Sequence, residues 1–320
     1  MTVGIAVLGA GRIAETGFIP AAAKVDGAEV VAVLSRDQAR GEAFAARNGV
    51  ARAYSDLDRL LADPDVDAVI VASPDVMHEP QVIAAARAGK HVLCEKPMAV
   101  SHAACERMAE AVRAGGGRFM MGYSNRFNSG TRRIKELMDA GAIGRVLYAR
   151  AFLTTHTRDP NAWRAHPETA RFWAMSASGT HVVDLFRWYF GEPARVGGGL
   201  FSPLHGSAND EISLYVFDYP GRLMAELAVS AIVAAGNRLE LHGENGTIIG
   251  ENVMGRPASQ TITCNGEAIE LAPADSFRAE VTEFVAAITE GREPAITIRD
   301  GMENVRIMEA VREGRTMVEL

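Results

Sequence analysis

The residues best suited to chemistry stand in one run, Gly89-Lys-His-Val-Leu-Cys-Glu-Lys-Pro97. A glycine turns the chain, an apolar stretch follows, and it ends in Glu95-Lys96-Pro97. An ammonium group at the carboxyl end of a buried strand is costly unless a site uses it. Lys96 can hydrogen-bond a reacting oxygen and stabilise the negative charge that develops there. Glu95 can orient that ammonium, and Pro97 fixes the turn. Taken alone, Glu95-Lys96 reads as an exposed ion pair at a strand end. Two further motifs reverse that reading.

The first is Gly9-Ala-Gly-Arg-Ile-Ala14, a G-x-G-x-x-A pattern between the apolar run Val3–Leu8 and a helical stretch toward Ala23. Gly9 allows a tight turn, Gly11 lets the backbone approach a pyrophosphate, and Ala14 keeps the helix close to its strand. The helix N-terminus offers N–H groups and a positive dipole end to the phosphates. Glycine pairs after strands are common, so the flanking strand and helix carry the assignment. The second motif is the strand Glu29–Leu34 ending in Ser35-Arg36-Asp37. A hydroxyl and a guanidinium suit a 2′-phosphate, which favours NADP. Asp37 is near enough to hold ribose hydroxyls, which keeps NAD open.

These residues need a scaffold that places them together. Helical patterns cover Gln38–Asn48, Ser55–Leu61 and His78–Ala88, and apolar strands cover Val66–Val71 and Val92–Cys94. Strands and helices alternate to about Met121, which predicts a doubly wound parallel sheet. Ligands of such sheets lie outside the carboxyl ends of the strands. Gly9–Ala14, Ser35–Arg36, Ser73–Pro74 and Glu95–Pro97 all fall at such ends, so Lys96 is expected beside a nicotinamide and a substrate oxygen.

The pattern resembles the glucose–fructose oxidoreductase / inositol dehydrogenase (Gfo/Idh/MocA) family of NAD(P)-dependent oxidoreductases. The resembling residues are the glycine loop, Ala72-Ser-Pro-Asp-Val-Met-His78, the run ending at Pro97, Gly122-Tyr-Ser-Asn-Arg-Phe127 and Gly179-Thr-His-Val-Val-Asp184. Glu283-Phe284, Glu290-Gly-Arg292 and Gly314-Arg-Thr-Met-Val-Glu-Leu320 extend it to the tail. The resemblance implies a Rossmann domain over 1–121 and an α/β domain over 122–320. The second would carry an open, mainly antiparallel sheet that builds a homodimer or homotetramer, with a C-terminal helix packing back on the first. It implies Lys96 and His181 as catalytic residues. Cofactor contacts are implied from Gly9, Gly11, Arg12, Ile13, Ser35, Arg36, Ser73, Pro74, His78, Glu95 and Lys96. Tyr123, Arg126, Trp163, Arg164 and Asp184 are the substrate-side candidates, Asp184 as an orienting group. A cis Lys96–Pro97 bond is expected from the same resemblance.

One departure stands out. The family pattern has an aspartate four residues before the histidine; here that residue is Ala177, within Met175-Ser-Ala-Ser178. Alanine can neither take a proton nor hold a sugar hydroxyl, and Ser176 or Ser178 cannot replace a carboxylate base. Lys96 and His181 then act on a different substrate, or activity is weak or lost.

The second half reads as strands and helices. Arg145–Thr154 alternates as a long strand, and Thr155–Phe172 is irregular and polar, with His156, Arg158, Asp159, Trp163, Arg164 and His166. Such a loop can close over a substrate. Thr180–Tyr189 is helical, with His181, Asp184 and Trp188 on one face. Glu211–Phe217 and Arg222–Leu227 flank Pro220-Gly221 as a hairpin, and Arg238–His242 and Gly246–Ile249 continue the sheet. Phe277–Thr289 and Asp300–Val311 are further helices, the latter expected to pack on the first domain.

The net charge of −7 argues against a nucleic-acid backbone as partner. No apolar run reaches the ~18 residues of a membrane span. Three unevenly spaced cysteines suggest a reducing compartment. Met1-Thr-Val-Gly-Ile enters a strand without a secretory pattern, so cytoplasm is the expectation. No Cys/His cluster has metal-ligand spacing. The sequence therefore predicts an NAD(P)-dependent dehydrogenase or reductase acting on a sugar, polyol or related small molecule. A dinucleotide-binding regulatory or scaffold protein without turnover is a second reading, and an NAD-dependent glycoside hydrolase a third.

Overall fold

The computed structural model describes residues 2–157, 159–255, 259–314 and 318–319. Arg158 of the polar loop, and Arg315–Met317 and Leu320 of the tail motif, lie outside the described residues. The chain divides into two compact units, Met1–Tyr123 with Phe277–Glu303, and Ser124–Ser276 with Asn304–Leu320.

The first unit holds six strands: β1 (Val3–Leu8), β2 (Ala28–Leu34), β3 (Arg52–Tyr54), β4 (Ala68–Val71), β5 (His91–Glu95) and β6 (Phe119–Gly122). Their order is β3-β2-β1-β4-β5-β6, and every pair is parallel. β1 and β4 are buried throughout, as strands covered on both faces must be. The strand order reverses between β1 and β4, and that is where such sheets open a crevice at the carboxyl ends. β3 escaped the sequence reading. It has three residues and no apolar run, and only its register against Ala32–Leu34 makes it a strand.

The returning segment seals this unit. Phe277 packs edge-on to Phe18, with ring centroids 5.1 Å apart. Gly17 permits this, since a Cβ there would stand 3.0 Å from the Phe277 ring. The amide of Met121 donates to Ile296 O at 3.1 Å, which ties the segment to the edge strand.

The second unit is built on nine strands: β7 (Val146–Thr154), β8 (Arg195–Phe201), β9 (Ile212–Tyr219), β10 (Leu223–Ser230), β11 (Asn237–Gly243), β12 (Gly246–Glu251), β13 (Thr261–Cys264), β14 (Glu267–Ile269) and β15 (Val318–Glu319). The order is β14-β13-β12-β11-β7-β10-β9-β8-β15, antiparallel except for the β7–β10 pair. The expected hairpins at Pro220-Gly221 and Gly243–Gly246 are present as β9–β10 and β11–β12.

One sheet face builds the core. Ala149, Ala151, Tyr215, Phe217, Leu227, Val229, Leu239 and Leu241 join Val182, Val183, Leu185 and Phe186 of the helix Thr180–Phe190. The helix Ile298–Arg312, expected on the first domain, is shared between the units: its second half gives Ile307, Met308 and Val311 to this core. On the other face Tyr148, Leu214 and Met224 stay exposed at 37%, 46% and 40%. Alternation along each strand produces this division, because successive side chains point to opposite faces.

Candidate active site

In the first unit the chemistry-bearing residues gather at the carboxyl ends of β1, β2, β4 and β5. Gly9 follows β1 with φ of +123°, and a Cβ there would lie 2.7 Å from Ala72 O. Only glycine lets the loop after β1 pass the end of β4 so closely. Gly11 differs, since a Cβ there would meet no protein atom within 4 Å. Its backbone faces open room, as a loop that admits a pyrophosphate requires. The amides of Arg12 to Ala14 precede the first intrahelical bond, made by Glu15 N to Gly11 O. They are the donors that a helix N-terminus offers to an anion. Arg12 is exposed and Ile13 half-buried. These residues fit a dinucleotide.

At the end of β2, Ser35 is 6% exposed, while Arg36 is open to solvent. Asp37 caps the helix Gln38–Asn48, accepting from Arg40 N at 2.7 Å. The carboxylate that would keep NAD open is thus engaged by a helix terminus. Arg40, which the sequence reading passed over, reaches back to donate to Ala10 O in the glycine loop at 3.3 Å. Its position in the first turn of the helix after β2 carries no signal until helix and loop are folded against one another.

Between β4 and β5 the linkage runs through His78. Its Nε2 lies 3.0 Å from Ser73 O and its Nδ1 2.8 Å from Pro97 O. Ser73 Oγ donates to Gln81 at 2.7 Å, and Pro74 is exposed. His78 is 1% exposed. It therefore ties two strand-end loops together, a role the motif alone did not disclose. The Lys96–Pro97 peptide is cis. Glu95 is buried and accepts from Lys96 N at 3.1 Å, which fixes the turn that presents the half-exposed Lys96. Burial, then the neighbouring Glu95, push the Cys94 thiol well up, so it stays protonated and inert.

In the second unit, a π-helical segment, Met175–Gly179, runs into Thr180–Phe190. π-Segments within helices often mark functional sites. Ala177 and His181 are both half-exposed on it. Asp184, expected on the same face as His181, is fully buried instead. It accepts two bonds from Arg126, at 2.8 Å from Nε and 2.6 Å from Nη2. Arg126 is itself 9% exposed. Asn304 bridges onward, from Asp184 Oδ1 at 3.4 Å to Arg187 Nη1 at 2.8 Å. These two substrate-side candidates form an interior ion pair that anchors the helix. Tyr123, a third candidate, is fully buried in the first unit.

Trp163 and Arg164 open a short 3-10 turn, Trp163–Ala165, and the guanidinium lies 4.0 Å from the indole ring centre. Both are half-exposed. Stacking of this kind holds an arginine flat while leaving its edge for hydrogen bonds. Among the described residues, no group of three or more His, Cys, Asp or Glu is placed to hold a metal ion. No helix among them is long and apolar enough to cross a membrane.

A doubly wound sheet with a glycine loop at its reversal point, and a lysine two strands away on the same edge, defines a dinucleotide-binding oxidoreductase fold. Comparison with known proteins gives the particular family. A model of the oxidoreductase family with an NAD-binding Rossmann fold matches residues 3–123, and one of the GFO/IDH/MocA C-terminal domain matches residues 131–249. Inositol 2-dehydrogenase 2 of Saccharopolyspora erythraea is 31% identical, over 97% of this chain and 92% of its own. The 1,5-anhydro-D-fructose reductase of Ensifer adhaerens is 31% identical, over 92% and 91%. The crystal structure of aldose-aldose oxidoreductase from Caulobacter crescentus, complexed with glycerol, superposes with a TM-score of 0.92 at 28% identity over 100% of both chains. The chain belongs to the GFO/IDH/MocA family of oxidoreductases.

Proposed function

We propose that the protein is a dehydrogenase or reductase that moves a hydride between NADP and a CH–OH carbon of a sugar, polyol or related small molecule. The observation that carries this reading is the gathering of the glycine loop, Arg36, Ser73 and Lys96 at one sheet edge. The glycine loop holds the pyrophosphate, and Arg36 and Arg40 hold a 2′-phosphate. The bound nicotinamide supplies the hydride-transfer chemistry. Lys96 hydrogen-bonds the reacting oxygen and stabilises its developing charge. His181 passes the hydroxyl proton to or from that oxygen, as an imidazole near neutral pH can. Trp163 and Arg164 contact the remainder of the substrate. Inositol dehydrogenase, anhydrofructose reductase and aldose oxidoreductase among the relatives support this substrate class.

The protein acts as a homodimer or homotetramer in the cytoplasm. Exposed Tyr148 and Met224 in one row of the sheet and Leu214 in another, with the Arg150–Glu226 pair at 3.2 Å in the row between them, support sheet-to-sheet assembly. A net charge of −7 speaks against nucleic acid. Ala177 favours one other reading, a dinucleotide-binding regulator without turnover.

The deciding experiment is a sugar and polyol panel, run with NAD(H) and NADP(H) on the wild type and on Lys96→Met. Turnover by the wild type, lost in the variant with cofactor affinity kept, is the expected result. Wild-type turnover in Lys96→Met removes Lys96 from the chemistry. Cofactor binding without turnover on any member establishes the regulator.

A further inference from the structure

Three consecutive polar residues, Asn209, Asp210 and Glu211, are 1%, 2% and 0% exposed just ahead of β9. Buried polar groups must find partners, so their bonds show what they hold. Asn209 Nδ2 donates to Arg164 O at 2.8 Å and to Ala170 O at 2.9 Å. Ser207 Oγ adds a bond to Ala165 O at 2.8 Å. These grips fall on the turn that carries Trp163 and Arg164, and on the end of the loop behind it.

Asp210 holds the next stretch. Oδ1 accepts from Trp173 N at 2.7 Å, and Oδ2 from Met175 N at 2.9 Å and Ser213 Oγ at 2.7 Å. Its backbone oxygen takes Ala174 N at 2.9 Å. Three successive amides at the start of the π-segment therefore end on one residue. A carboxylate there also faces the positive end of the helix. Burial pushes the Asp210 carboxyl up against the pull of these donors. Gly179 ends the segment in tight quarters, since a Cβ there would stand 2.3 Å from the segment's own Met175 Sδ and 3.1 Å from Val229 of the sheet.

Such a clamp fixes the rotation of the helix. From Phe172 to Arg187 only Ala177 and His181 escape burial. A slip of one residue turns a helix by about 100° and would carry His181 into the core. A simple cap could have been a serine or asparagine at the helix start. Here the carboxylate comes from a separate strand, so the helix is referenced to the sheet.

We propose that Asn209 and Asp210 are positioning residues for the reaction: Asn209 sets the Trp163–Arg164 turn that meets the substrate, and Asp210 sets the rotation that brings His181 out of the core. This rests on the proposed roles of His181, Trp163 and Arg164. The two residues therefore divide between KM and kcat, which a purely stabilising role would not produce.

The test uses full-length Asn209→Ala and Asp210→Asn beside the wild type and Lys96→Met, on the best substrate of the panel. Asn209→Ala should raise KM five- to tenfold with kcat within twofold. Asp210→Asn should lower kcat at least tenfold and move the pH–rate profile. Cofactor Kd should stay within twofold in both, because the glycine loop belongs to the other unit. Hydrogen exchange at the amides of Trp173 and Met175 should rise in Asp210→Asn. Should either variant fail to fold, Ser207→Ala and Ser213→Ala remove one bond from each grip and should show the same division in smaller measure. Variants with KM, kcat and pH profile within twofold of an active wild type overturn the positioning role alone. A wild type without turnover, or a fully active Lys96→Met, overturns the site reading, and the positioning role falls with it.

Discussion

Ala177 and His181 lie one helical turn apart, and they alone escape burial between Phe172 and Arg187. The helix presents one imidazole and, where a carboxylate would complete a proton-transfer pair, a methyl group. Restoring the acid is therefore a direct probe of substrate class. Ala177→Asp should fold normally, since the position is half-exposed and an ion pair one turn apart on a helix is worth only ~0.3–0.5 kcal/mol. Turnover on polyols should rise at least tenfold, toward the ~10²–10⁴ of general acid–base catalysis. Thermal melts and initial rates on the panel check both statements. No gain on any polyol would show that the site is built for another substrate.

Gly9 and Gly11 sit two residues apart but should respond differently to a single methyl. At Gly9 the Cβ meets Ala72 O and the φ is +123°, so Gly9→Ala should cost roughly 1–3 kcal/mol of stability. At Gly11 the protein leaves room. Gly11→Ala should melt with the wild type yet bind dinucleotide at least tenfold more weakly. Melting curves paired with cofactor titration separate the two. A Gly11→Ala protein with unchanged cofactor affinity would place the pyrophosphate elsewhere.

Arg40 touches the glycine loop while Asp37 is held as a helix cap. Arg40→Ala should weaken NADP by about tenfold or more, the scale of one hydrogen bond to a charged group. NAD should change little. The ratio of the two dissociation constants is the quantity to measure; equal losses would mean that Arg40 supports the loop and does not read the 2′-phosphate.

Arg126 and Asp184 form a two-bond ion pair inside the second unit. Removing one partner leaves a buried charge uncompensated, at a cost of ~3–5 kcal/mol. Arg126→Ala and Asp184→Asn should each lower the melting temperature by several degrees. Replacing both with leucine should recover much of that loss. If the single variants melt with the wild type but lose substrate affinity, the pair belongs to the binding surface after all.

The sequence by itself determined the first fold and its working edge. Val3–Leu8, Glu29–Leu34, Val66–Val71 and Val92–Cys94 are local apolar runs, and the glycines and Glu95-Lys96-Pro97 stand at their ends. Strand burial and turn chemistry are short-range properties, so they can be read from neighbours in the chain. Tertiary structure decided the rest. It made a strand of Arg52–Tyr54, split the helix Ile298–Arg312 between two units, and drew Asp184 away from His181 toward Arg126. It turned His78 into a tie between loops and gave Asn209 and Asp210 their grip on the His181 helix. Each of these depends on at least one partner distant in the chain, such as Pro97, 19 residues from His78, or Arg126, 58 residues from Asp184. A side chain's helical face tells which neighbours it could meet, whereas its actual partner is set by where distant segments pack. Polar residues without local periodicity, such as Asn209 and Asp210, therefore carry little signal until the chain is folded.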